Sequence, residues 1–131
     1  LSKITVIDNN PVSLEQIVDA AVGKRVYEVR LCDNARAVVE FVRDNPIDVL
    51  VMRHNMDGNN GFQIAQHLSK MNILPKTVIY GNIQRKTIDY YYATRFAWYV
   101  VKQHDTGLIL SAVEKVLNNV RAHSFADFIL P

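Results

Sequence analysis

The sequence predicts an α/β fold, a doubly wound parallel sheet of five strands in a (βα)5 arrangement, within a single domain. Three observations lead there. Strand-like and helix-like segments alternate five times along 131 residues, the pattern of parallel strands joined by crossover helices. The third apolar run, Asp48–Met52, is almost continuously hydrophobic, as a central strand covered on both faces should be. The intervening segments carry apolar residues on one helical stripe rather than in alternation.

The first strand is Lys3–Ile7, short and rich in β-branched residues, and it ends at Asp8-Asn9-Asn10. Pro11 suits the first turn of a helix with Asn10 as its cap, and Leu14, Ile17, Val18 and Ala21 form that helix's buried stripe. Tyr27–Cys32 reads as the second strand, with Asp33-Asn34 as turn and cap for a helix over Ala35–Arg43. Asn45-Pro46 stops that helix, because a residue before proline disfavours helical geometry. After the third strand, a helix over Gly61–Met71 turns Ile64, Ala65 and Leu68 inward. Leu74-Pro75 leads to a fourth strand, Thr77–Gly81, then a short helix, Thr87–Thr94, and a fifth strand, Ala97–Val101. The last helix follows the capping residue Asp105 and carries Ile109, Leu110, Val113, Val116, Leu117 and Val120 on one face.

Composition narrows the function classes. Apolar residues make up 49% and charged residues 21%, enough material for a core without staples. A formal charge of +2 argues against direct nucleic-acid or membrane-surface binding. Cys32 is the single cysteine, so no internal disulfide and no thiol-rich metal site is expected, and in a strand it reads as a small core residue. No apolar run approaches the roughly 20 residues that span a bilayer, and no signal peptide is visible, so a cytoplasmic location is the default expectation. The chain starts at Leu1 rather than Met, as a piece of a longer protein would. The domain is expected over residues 1–121, with 122–131 as a tail or a linker toward an output domain. The tail's Phe125, Phe128, Ile129 and Leu130 are too apolar for a solvated linker.

The segment Asp48-Val49-Leu50-Val51-Met52-Arg53-His54-Asn55-Met56-Asp57-Gly58-Asn59-Asn60-Gly61-Phe62 runs from apolar strand through loop into helix. From about Lys3 to Val120 the chain resembles the response-regulator receiver domain. That resemblance implies one pocket beyond the carboxyl ends of the strands. In a working receiver, two acids after strand one hold Mg²⁺ beside an acceptor aspartate. A Thr or Ser after strand four and a Lys after strand five grip the phosphoryl oxygens. Here Asp8 matches the first acid, Asn9 stands at the second, and Arg53 stands at the acceptor. Gly81 falls at the hydroxyl position, or Tyr80 if the register shifts by one. Lys102 matches the lysine, but Gln103 replaces the proline that usually follows.

A guanidinium has no lone pair to attack phosphorus, and Mg²⁺ requires hard oxygen ligands that Arg53 does not offer. The expectation is therefore a pseudo-receiver with no aspartyl phosphorylation, no bound metal, no cofactor and no enzymatic activity. Arg53 either pairs with Asp8 in the metal's place or swings to solvent; Lys102 is either a solvated strand end or a second contact to Asp8. Asp57 is more simply a turn residue than a displaced acceptor. His54, His67, His104 and His123 show no metal-ligand spacing.

Seven of the twelve aromatic residues lie between positions 80 and 99: Tyr80, Tyr90, Tyr91, Tyr92, Phe96, Trp98 and Tyr99. The resemblance makes Tyr99 the aromatic that rotates in receivers, and the surface of helix 4, strand 5 and helix 5 their common site of assembly. Trp98 and Tyr99 should point to opposite faces of the strand; the resemblance implies an exposed place for Trp98, and an exposed Trp marks an interface. Three successive tyrosines on a helix cannot all face inward. The expectation is a phosphorylation-independent signalling module that meets a protein partner, a second copy as a homodimer, or a tethered output domain through Tyr90, Tyr91, Tyr92, Trp98 and Tyr99. The alternative is a small-anion or nucleotide sensor built on Asp8, Arg53 and Lys102.

Overall fold

The computed structural model describes residues 3–10, 12, 15–17, 19, 27–31 (backbone alone), 34–56, 58–103 and 105–124. Expectations for Pro11, Leu14, Val18, Ala21, Cys32, Asp33, Asp57, His104 and residues 125–131 lie outside them. The strands are β1 (Ile4–Asp8), β2 (Tyr27–Leu31), β3 (Val49–Arg53), β4 (Lys76–Tyr80) and β5 (Tyr99–Val101). Helical residues at 12, 15–17 and 19 make up what is described of α1. The later helices are α2 (Ala35–Asp44), α3 (Gly61–Lys70), α4 (Arg85–Thr94) and α5 (Thr106–Leu117).

The strands form one sheet in the order β2-β1-β3-β4-β5, each pair parallel. All of β1 and the first four residues of β3 are buried. Side chains alternate across a strand, so burial of every residue means that both faces of the sheet are covered. α5 packs against β3, β4 and β5, while α2 and α3 touch each other. The chain leaves β1 toward β2 and returns across it to β3, which opens a crevice at the carboxyl ends of β1 and β3.

Local chemistry sets the helix starts. Asn34 accepts from the Ala37 N–H at 2.8 Å, and Asp105 accepts from Leu108 at 3.0 Å. Asn60 and Gln63 exchange side-chain and backbone bonds in a capping box. Several expected limits shift. β3 extends through Arg53, β4 ends at Tyr80, β5 begins at Tyr99, and α4 begins at Arg85. α5 ends at Leu117, and Val120, expected on its buried face, is exposed. Asn119 adopts a left-handed φ of 58° just before it and turns the chain out of the helical stripe.

β5 is an edge strand, and two backbone groups along that edge are engaged. The Tyr92 hydroxyl of α4 accepts the buried Val100 N–H at 2.9 Å. Ala122 donates to the Trp98 carbonyl at 3.2 Å and is itself buried. An edge engaged in this way offers little for pairing with another chain. No described helix is long and apolar enough to cross a membrane.

Candidate functional site

The strand register assembles the site. Ile7 is paired with Met52 and Arg53 with Tyr80, so Asp8, Arg53 and Tyr80 end three neighbouring strands at the same edge. Asp8 is completely buried, and both of its oxygens are engaged. Oδ1 accepts the Asn10 N–H at 2.8 Å, and Oδ2 accepts the Tyr80 hydroxyl at 2.7 Å. Arg53 Nη1 lies 3.6 Å from Asp8 Oδ1, an electrostatic contact longer than a charge-assisted hydrogen bond.

Tyr80 is fully buried. Burial pushes its phenol well above the ordinary range, and the Asp8 charge and hydrogen bond add to the shift. The phenol therefore stays protonated and donates. The hydroxyl that faces Asp8 is that of Tyr80, the one-residue alternative to Gly81. Gly81 follows the strand with φ at 133°, and a Cβ there would stand 2.6 Å from the Asn55 side chain. Gly81 supplies the turn out of the strand rather than a group for the pocket.

Asn9 is half-buried, and Lys102 is exposed. Lys102 makes no ion pair with Asp8 among the described residues, so the lysine and the Arg53–Asp8 pair do not form a common cradle. No cis peptide bond occurs among the described residues. No three His, Cys, Asp or Glu side chains converge there either. The described residues do not fit a divalent cation. The one carboxylate described at the site already holds a phenol, an amide N–H and a guanidinium, and the guanidinium repels the ion.

A residue not singled out by sequence links this pocket to α4. His54, next to Arg53, is buried, and its Nδ1 lies 2.7 Å from the Tyr91 hydroxyl. Burial raises the Tyr91 phenol and lowers the His54 imidazole. The phenol stays protonated and the imidazole neutral, and the His54 tautomer sets which of the two donates. Gly61 makes the approach feasible, since a Cβ at this position would lie 2.9 Å from that hydroxyl and 3.1 Å from the His54 Cα. The signal available in the sequence was the pairing of a histidine at the strand end with glycine at the next helix start.

The expected aromatic face is largely interior. Tyr91, Tyr92 and Tyr99 are all buried, because Tyr91 pins His54, Tyr92 caps Val100, and Tyr99 packs in the core. Tyr90 alone of the three successive tyrosines is exposed, at 51%. Trp98 is half-buried against the core rather than exposed. It precedes β5 and so does not follow strict strand alternation with Tyr99. Phe62 and Phe96 complete an aromatic group, their rings 5.3 Å apart, with Tyr91 5.2 Å from Phe62.

The family model named response regulator receiver domain matches residues 4–114. No curated protein matches the sequence. Among solved structures, a LuxR-family two-component response regulator from Aurantimonas sp. SI85-9A1 is similar over 98% of this chain and 94% of its own. Its TM-score is 0.80 and its identity 20%. The response regulator TrrA of Thermotoga maritima, solved in complex with Mg(2+)-BeF, is similar over 88% of this chain and 99% of its own. There the TM-score is 0.67 and the identity 19%. RcsB of Salmonella typhimurium aligns over 97% of this chain and 66% of its own, with a TM-score of 0.75 at 12% identity. These likenesses establish the fold, and the match over residues 4–114 establishes that the chain belongs to the response regulator receiver domain family.

Proposed function

We propose that this chain is a pseudo-receiver, a phosphorylation-independent signalling module that acts by protein–protein interaction and catalyses nothing itself. The observation that carries the reading is the state of Asp8. Its oxygens hold the Tyr80 hydroxyl, the Asn10 N–H and the Arg53 guanidinium. Arg53, at the position where receivers carry the acceptor aspartate, has no nucleophilic lone pair. The guanidinium brings Asp8 the positive charge that a bound metal would otherwise supply, and the phenol adds a hydrogen bond. The pocket is then fixed in one state.

The interaction surface in this reading is α4, β5 and α5, presented by Tyr90 and the charged side chains around Trp98. Tyr91, Tyr92 and Tyr99 support that surface from inside. Partners are a second copy, another protein or a tethered output domain. The anion-sensor alternative is less favoured, because Arg53 is already paired with Asp8.

Two measurements test this. The intact mass after incubation with acetyl phosphate and Mg²⁺ should be unchanged; a stable phosphoryl adduct would sink the reading. Light scattering without phosphodonor, on wild type and Tyr90→Ala, reads assembly through the face. Tyr90 replaces buried Tyr91 in this experiment because Tyr91→Ala would damage the fold.

A further inference from the structure

A second group of charged side chains lies away from the pocket, where the chain leaves α5. Two cations lie against the half-buried Trp98 ring: Lys76 Nζ 4.9 Å and the Arg121 guanidinium 5.0 Å from its centroid. Arg121 Nη2 also donates to the Arg95 carbonyl at 2.8 Å, which brings exposed Arg95 into the same group. The Lys76 ammonium is held by the neutral Asn119 side chain at 2.6 Å.

Elsewhere the described arginine side chains meet acids. Arg36 faces Glu40, Arg43 faces Asp44, Arg53 faces Asp8 and Arg85 faces Asp89. Lys76, Arg95 and Arg121 form no such pair among the described residues. Burial, with the like charge of Arg95, pushes the Arg121 guanidinium down. Two cations on an indole with a third beside Arg121, none of them in an ion pair among the described residues, are complementary to an incoming acid.

We propose that the surface of Lys76, Arg95, Trp98 and Arg121 docks a carboxylate-bearing segment of a partner protein. Asp or Glu side chains meet the three cations, and an apolar neighbour rests on the exposed part of the indole and on Val120, which is 49% exposed. A protein is favoured over a nucleic acid because the cations surround an aromatic ring rather than extending as a track. The chain's formal charge is only +2. The inference rests on the interaction-module reading and names the partner's chemistry.

Trp98 is the chain's single tryptophan, so its fluorescence reports the site directly. The probe is a synthetic peptide of Glu and Leu, compared with the same peptide carrying Gln for Glu and with oligothymidylate. The expected result is a saturable change in Trp98 emission with the Glu peptide. It should weaken about tenfold or more in Lys76→Gln/Arg95→Asn, roughly the loss of 1.4 kcal/mol. Both positions are exposed, and Asn tolerates the left-handed φ of 62° at position 95. No saturable change, equal affinity for the Gln peptide, tighter binding of oligothymidylate, or an unaffected double variant each overturns the proposal. Glu-peptide binding that appears only after acetyl phosphate and Mg²⁺ upholds the surface and refutes phosphorylation independence. No Glu-peptide binding beside a constitutive dimer lost in Tyr90→Ala does the reverse.

Discussion

Tyr80→Phe removes one oxygen atom and tests the chemistry of the pocket with little change in volume. In the wild type that hydroxyl donates to Asp8 Oδ2 at 2.7 Å, with both side chains fully buried. The remaining described partners of Asp8, Asn10 N–H and Arg53, both meet Oδ1. The substitution therefore leaves Oδ2 without its hydroxyl donor in a site from which water is excluded. A hydrogen bond to a charged group contributes about 1.5–3 kcal/mol net. A domain of this size loses roughly 3–4 °C of Tm per kcal/mol, so the expected fall is roughly 5–12 °C. Urea unfolding followed by circular dichroism gives the free energy, and a double-mutant cycle with Asp8→Asn isolates the pair. In the Asp8→Asn background, where the acceptor is neutral, the effect of Tyr80→Phe should drop toward about 1 kcal/mol. A loss below about 0.5 kcal/mol in the wild-type background, or one equal in both backgrounds, would refute the account of Tyr80 as the buried carboxylate's donor.

Four further outcomes follow from the same contacts. Arg53→Asp places a second carboxylate beside buried Asp8 and should lower Tm by several degrees. Mass spectrometry should find no phosphoryl adduct on that variant, because Tyr80 and Asn9 still deny the site its ligands. His54 has a folded pKa below its ordinary 6.5, so the fold binds fewer protons than the unfolded chain between those values. Its contribution is complete above about pH 6.5 and lost as pH falls through that window; urea midpoints at about pH 7.5 and about pH 5.5 should differ less in His54→Gln. Gly61→Ala pushes a methyl toward the Tyr91 hydroxyl and the His54 backbone, and equilibrium unfolding should show a loss of about 1–3 kcal/mol. Tyr92→Phe orphans the buried Val100 N–H, at about 1–3 kcal/mol in the same assay, with the mass by light scattering unchanged.

The parallel sheet and the place of the site were legible because they depend on short-range patterns. Apolar runs with helical stripes between them fix which residues end the strands, and Asp8 and Arg53 come together as a result. Tyr80 was harder to assign. Strand β4 ends one residue before Gly81, and a shift of one residue moves a side chain to the other side of the sheet. The tyrosines of α4 escape a sequence reading for a different reason. A phenol carries a polar end, so composition places it near the surface, but His54 and Val100 supply buried partners that let two of the three turn inward. His54 lies 37 residues away and Val100 on the next strand, and no local pattern announces either. Strand alternation alone likewise misplaces Trp98, whereas Lys76 and Arg121 come to its ring from β4 and from beyond α5.

On the proposed reading, the direction of control in this domain follows from which surface still has unused capacity. Moving a two-state equilibrium from 1:99 to 99:1 takes a differential affinity of about 5.5 kcal/mol. In the pocket, any ligand that reaches Asp8 must first displace a phenol and a guanidinium from a buried carboxylate, and those losses subtract from whatever it gains. His54 adds a second restraint, because its bond to Tyr91 ties the residue after Arg53 to α4. The surface around Trp98 is different: its cations are held by neutral groups and form no ion pair among the described residues, so an acidic partner need not break one. On that reading, signal enters through the surface around Trp98, and the occupied pocket holds that surface in one shape.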